Sequence, residues 1–132
     1  MRMLYDTNIL VGILSRKTSV LAFKESVTKR RLKHITSAYI LQEVEAVLSE
    51  RMGLTKQKAK AAARLLARHS LIAEPTTIEQ ICRDPFDDYI LAAALAGQAE
   101  YVVTADKDLL VLETYRQIPI ITPSAFAALF HL

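Results

Sequence analysis

An α/β fold is expected of this sequence: a single domain over residues 1–132, with a central parallel sheet of four to five strands flanked by helices. Three observations point there. The 132 residues supply about one hydrophobic core and leave no room for a second. Short β-branched or aromatic runs alternate with longer segments of helical periodicity, the pattern by which helices cover both faces of a parallel sheet. Only 3 glycines and 4 prolines punctuate the chain, so most of it is regular structure. Hydrophobic residues at 52% and charged residues at 23% exclude a disordered polyelectrolyte.

Taken in order, Met3-Leu4-Tyr5 reads as a strand ending at Asp6, and residues 8–14 as a short helical turn. Residues 19–31 are helical, with Val20, Phe23 and Val27 on one stripe. His34-Ile35-Thr36 is a second strand. Ser37 then caps a helix that runs to about residue 51 and stops at Gly53. Thr55 caps a third long helix over residues 56–69. Leu71-Ile72-Ala73 is a strand, residues 77–82 a helical turn, and Asp84-Pro85 a break. Asp87 opens a helix that ends before Gly97. Tyr101-Val102-Val103-Thr104 is the clearest strand. Residues 106–112 form a short helix and residues 118–121 a strand, and Pro123 opens a final helix.

The one cysteine, Cys82, excludes an intramolecular disulfide and a Cys-rich zinc site. The longest apolar runs, residues 90–96 and 125–130, are far too short for a bilayer, so no membrane role is expected. An acid at position 6 does not suit a signal peptide, and the expected compartment is the reducing cytoplasm.

The net charge of +3 hides an asymmetry. Residues 1–68 carry 14 of the 17 Lys/Arg but 5 of the 14 acids. The basic residues gather at Lys29-Arg30-Arg31 and Lys33, and at Arg51, Lys56, Lys58, Lys60, Arg64 and Arg68. Such a surface attracts polyanions, although ordinary solvated helix faces look the same.

In an open parallel sheet, ligands bind beyond the carboxyl ends of the strands. Asp6 and Asp106 follow strands, Asp87 and Asp88 open a helix, and Glu43 lies early in the helix after the second strand. Each acid alone is explained by helix capping or solvation. Glu45 flanks the apolar stripe as well as Glu43 does, and periodicity does not choose between them. Several acids on one edge are a different matter, because two carboxylates about 4 Å apart repel by about 4 kcal/mol at an effective dielectric of ~20. Such a group either protonates or binds a cation. Oxygen donors without Cys or His suit a hard ion, Mg²⁺ or Mn²⁺, which assists attack on phosphate esters.

Four stretches resemble the PIN domain, in particular its small single-domain VapC-like toxin group. They are Leu4-Tyr5-Asp6-Thr7-Asn8-Ile9-Leu10, Ser37-Ala38-Tyr39-Ile40-Leu41-Gln42-Glu43-Val44-Glu45-Ala46-Val47-Leu48, Arg83-Asp84-Pro85-Phe86-Asp87-Asp88-Tyr89-Ile90-Leu91-Ala92-Ala93-Ala94, and Tyr101-Val102-Val103-Thr104-Ala105-Asp106-Lys107-Asp108-Leu109-Leu110. The resemblance implies a Mg²⁺- or Mn²⁺-dependent endoribonuclease that leaves a 3′-hydroxyl and a 5′-phosphate. It implies catalytic, metal-holding acids at Asp6, Glu43, Asp88 and Asp106, with Asp108 as an auxiliary ligand. Thr7, Asn8 and Thr104 take the places of polar residues that steady a carboxylate or a water, and Asp84 and Asp87 stay open between that role and loop chemistry. The substrate implied is RNA, with Lys29, Arg30, Arg31, Lys56, Lys60 and Arg64 as backbone contacts and Tyr39 and Tyr89 as stacking or packing residues. A cognate antitoxin protein that reaches the acids with an arginine, and a homodimer, are implied partners. His34, His69 and His131 are not expected at the centre. A nuclease without an antitoxin and a non-catalytic nucleic-acid-binding module are the competing readings. A haloacid-dehalogenase-like phosphatase is disfavoured, because Asn8 stands where its second aspartate belongs.

Overall fold

The structure, a computed structural model, describes residues 1–29 and 32–130. Arg30, Arg31 and His131 lie outside the described residues. The first strand, β1 (Arg2–Tyr5), leads through Asp6 into α1 (Thr7–Leu14) and α2 (Lys17–Thr28). Then come β2 (Lys33–Ser37), α3 (Ala38–Glu50), α4 (Lys56–Arg68) and β3 (Ser70–Ala73). The second half runs α5 (Pro85–Ala96), β4 (Tyr101–Val103), α6 (Lys107–Leu110), β5 (Thr114–Tyr115), β6 (Ile118–Ile121) and α7 (Pro123–Phe130). The expected caps form: the Ser37 hydroxyl accepts from the Ile40 N–H and the Thr55 hydroxyl from the Lys58 N–H, both at 3.2 Å. Gly53, at φ 73°, supplies the left-handed turn between α3 and α4.

The sheet order is β3-β2-β1-β4-β6-β5, and every pairing is parallel except β5 with β6. The chain builds leftward from β1 through β2 and β3, then crosses to place β4 on the other side of β1. That reversal opens a crevice at the carboxyl ends of β1 and β4, where doubly wound sheets bind ligands. Alternation along the strands sorts the core. Leu4, Ile35 and Val102 pack with Ile40, Val44 and Leu91 in one apolar cluster, and Met3 and Val103 pack with Phe126 in another. A Cβ at Gly97 would meet Ile35 Cγ2 at 2.5 Å, so only glycine lets the end of α5 lie this close to β2.

Three expectations change. Residues 77–82 are not helical. They form a loop pinned from outside: the Glu79 carboxylate accepts from the Tyr115 hydroxyl and from the Arg116 guanidinium at 2.6 Å. The strand β5 was not foreseen. Its hairpin turns through Arg116 (φ 49°) and Gln117 (φ 68°), left-handed positions that glycine or asparagine usually marks. The helix α5 also starts earlier than expected, with Pro85 in its first turn and Asp84 as its cap.

His34 is buried inside β2. The Ser70 hydroxyl donates to the Leu66 carbonyl at 2.6 Å, so it accepts from the Nδ1–H of His34 at 2.7 Å. Nε2 is then the acceptor for the Tyr5 N–H at 3.4 Å. The neutral Nδ1–H tautomer satisfies both contacts, and burial pushes the imidazole pKa down to about 3.

Candidate active site

The end of β1 fixes the first acid. The Asp6 N–H donates to the Val103 carbonyl at 3.1 Å, which ties it to β4. Asp6 caps α1 by accepting from the Ile9 N–H at 3.0 Å through Oδ1, and its Oδ2 accepts from the Thr104 hydroxyl. Thr104, fully buried, also accepts from the Asp106 N–H at 2.9 Å. One hydroxyl thus joins the acids that follow β1 and β4. Asp106 caps α6 by accepting from the Asp108 N–H at 2.9 Å, and Asp84 caps α5 by accepting from the Phe86 N–H at 3.0 Å.

Asp6, Glu43, Asp84, Asp87 and Asp106 line one hollow of about 180 Å³, with Thr7, Asn8 and Arg51 around them. Helix geometry brings Glu43 here and sends Glu45 to the neighbouring groove against α4. Asp87 is 5% exposed, and its Oδ2 has no hydrogen-bond partner among the described residues. Capping explains Asp6, Asp84 and Asp106; it does not explain Asp87. Burial, then the fields of Asp106, Asp84, Asp6 and Asp108, push its pKa up to about 7. Burial also raises Asp6. The Thr104 and Ile9 hydrogen bonds oppose that rise, and the field of Asp106 adds to it. The buried Thr7 hydroxyl likewise has no partner among the described residues.

Asp88, expected in this hollow, is not in its wall. Its Oδ1 accepts from the N–H groups of Ile81 at 3.0 Å and Cys82 at 2.7 Å. One helix position, about 100°, separates it from Asp87, and that rotation turns it to the loop instead. Burial raises its pKa, but the Cys82 and Ile81 donors outweigh burial and leave it below the usual carboxylate value. Asp88→Ala is therefore expected to cost about 1–3 kcal/mol in urea unfolding, because it strands two backbone donors. Asp88→Asn, which keeps an acceptor, should cost less. An Ala variant as stable as wild type would remove this role.

Asp108 is also outside the hollow. It borders a shallower depression beside Asp6 and Asp106, and both its oxygens lie 3.3 Å from the Arg83 guanidinium. Tyr39 and Tyr89 stack on each other, with ring centroids 3.8 Å apart and planes 4° from parallel, so packing occupies a face of each. Lys56 and Lys60 line the α3–α4 groove of about 530 Å³, Arg64 is exposed on α4, and Lys29 pairs with Glu25 on the surface of α2. Sequence reasoning had placed Arg51 only in the general basic surface. The i, i+4, i+8 row of Glu43, Val47 and Arg51 was the signal that assigns it to the hollow.

Among the described residues, no group of three or more His, Cys, Asp or Glu side chains is placed so that it could hold a metal ion as it stands. The donor chemistry nevertheless suits a hard cation. The donors are all oxygen, burial and then mutual repulsion raise two of the acids, and a buried carboxylate oxygen lacks a partner among the described residues. The hollow is wide enough for an ion that keeps several of its waters, as Mg²⁺ does. No helix among the described residues is long and apolar enough to cross a membrane.

No curated protein sequence matches the chain. In fold, the chain is similar to one in the crystal structure of VapBC2 from Rickettsia felis bound to a DNA fragment from their promoter. The TM-score is 0.64 and the identity 14%, over 92% of this chain and 98% of that one. The family model described as the PIN domain matches residues 2–108, which hold β1, β4 and every acid of the hollow. The chain belongs to the PIN-domain family.

Proposed function

We propose that this protein is a Mg²⁺- or Mn²⁺-dependent endoribonuclease, the toxin of a toxin–antitoxin pair. The observation that carries the reading is the buried carboxylate oxygen of Asp87, which has no partner among the described residues and lies beside Asp6, Glu43 and Asp106. Family membership and the likeness in fold to a VapBC2 chain support it. These four acids would hold the ion, partly through its waters. When bound, the ion supplies positive charge to the scissile phosphate and acidifies water.

The protein's own part is preorganisation. Thr104 fixes the Asp6 carboxylate, and the Asp106 N–H fixes Thr104. Burial and the neighbouring acids push the pKa of the Asp87 carboxyl up to about 7, so positive charge in the hollow would favour its ionised form. The basic groove at Lys56 and Lys60 holds the RNA backbone, a contact that grips without reading sequence. An antitoxin would pack on the early helices, where Leu21 is 64% exposed and Phe23 is already core.

A panel of defined RNAs incubated with the purified protein and Mn²⁺ should be cleaved, and excess EDTA should stop the cleavage. Equal cleavage in EDTA would exclude the metal-dependent reading. Growth arrest on induced expression, relieved by a co-expressed upstream gene product, is expected of a toxin. Unaffected growth would leave a nuclease without that role.

A further inference from the structure

We infer that Arg51 is a substrate-binding residue that holds a phosphate of the RNA at the rim of the acid hollow. This rests on the nuclease reading above. The residue ends α3 two turns beyond Glu43, on the same helix face, and both side chains line the hollow. Arg51 is exposed, and among the described residues its guanidinium makes no hydrogen bond or ion pair. That is unusual beside five carboxylates.

Three of those acids already hold backbone or hydroxyl donors. Asp6 is committed to Ile9 and Thr104, Asp84 to the Phe86 N–H and Asp106 to the Asp108 N–H. Arg51 is left with its planar fork of donors free, the geometry that grips phosphate oxygens in pairs. A hollow walled by acids repels a phosphodiester, and a fixed positive charge at its mouth offsets that repulsion. The groove bearing Lys56 and Lys60 opens on the adjoining face of the same helix, so the positive path continues from Arg51 along the start of α4.

The test compares wild type with Arg51→Gln, Arg51→Lys and, as a charge control beyond the far end of α1, Arg16→Gln. Cleavage is measured in Mn²⁺, and binding of a short single-stranded RNA is measured in EDTA across a salt series. Arg51→Gln should lower kcat/KM roughly 10- to 100-fold. It should also flatten the slope of log affinity against log salt by about 0.7, the loss of one phosphate contact on a single strand. Lys should restore the slope and only part of the rate, and the Arg16 variant should match wild type. If wild type cleaves and Arg51→Gln keeps both its rate and its slope, or cleaves faster, the assignment to Arg51 fails. If wild type cleaves nothing, the nuclease reading falls, and an unchanged binding slope then removes Arg51 as a phosphate contact as well.

Discussion

Asp87→Asn is expected to lower RNA cleavage by at least on the order of 10²-fold while leaving the protein as stable as wild type, or more so. The two effects share one cause. Asp87 is buried among like charges, and its pKa stands at about 7 instead of the usual carboxylate value. Because the folded-state pKa is raised, the charged carboxylate weighs against folding above pH 7, and the burden fades as pH falls toward 4. Asparagine removes that charge. The melting temperature of Asp87→Asn should thus equal or exceed wild type at pH 8, with the margin shrinking at pH 5. Solvent screening in the open hollow keeps the gain to about 1 kcal/mol. The same change removes the anionic oxygen that no group among the described residues satisfies, so a bound cation would lose a ligand. Thermal melts and cleavage assays at both pH values check this. An active Asp87→Asn, or one that melts lower at pH 8, would mean that Asp87 serves the fold instead.

Acid should unfold the protein through His34. Its folded pKa, lowered to about 3, lies well below that of an unfolded histidine. Between those values the unfolded chain binds a proton that the folded chain refuses, so stability falls as pH drops, by up to about 1.4 kcal/mol per pH unit. Asp6 and Asp87, whose pKa values are raised, push the other way in the same window. A matched variant isolates the histidine. His34→Gln can donate to Ser70 and accept from Tyr5 without titrating. From pH 7 to pH 4.5, wild type should lose about 2 to 3 kcal/mol more than His34→Gln in urea unfolding. Parallel losses in the two proteins would show that the imidazole does not drive acid unfolding.

Much of the fold was legible because its signals are local. Ser37 and Thr55 cap as their side-chain chemistry dictates, Gly53 stops α3, and the Val102-Val103 strand sits at the centre of the sheet. The acids at strand ends were legible for a similar reason, since chain order alone puts Asp6 and Asp106 on one edge. What escaped was direction around a helix axis. Asp87 and Asp88 are adjacent, both start α5, and both are 5% exposed; only the loop of residues 77–82 decides which one turns to the hollow. That loop has no periodicity to read, because its shape comes from Tyr115, Arg116 and Asp88, partners distant in sequence or on the next element. The β5–β6 hairpin escaped because Arg116 and Gln117 occupy left-handed positions without glycine's signature.

Thr104 carries a last lesson about polarity. A hydroxyl has one proton to give, and here it goes to Asp6, while the oxygen's lone pair receives the backbone of Asp106. The relay therefore runs one way only, from the amide of one loop to the carboxylate of the next. Serine would preserve that directionality, whereas valine, identical in outline, would cut the circuit and leave two neighbouring loops to find their alignment separately.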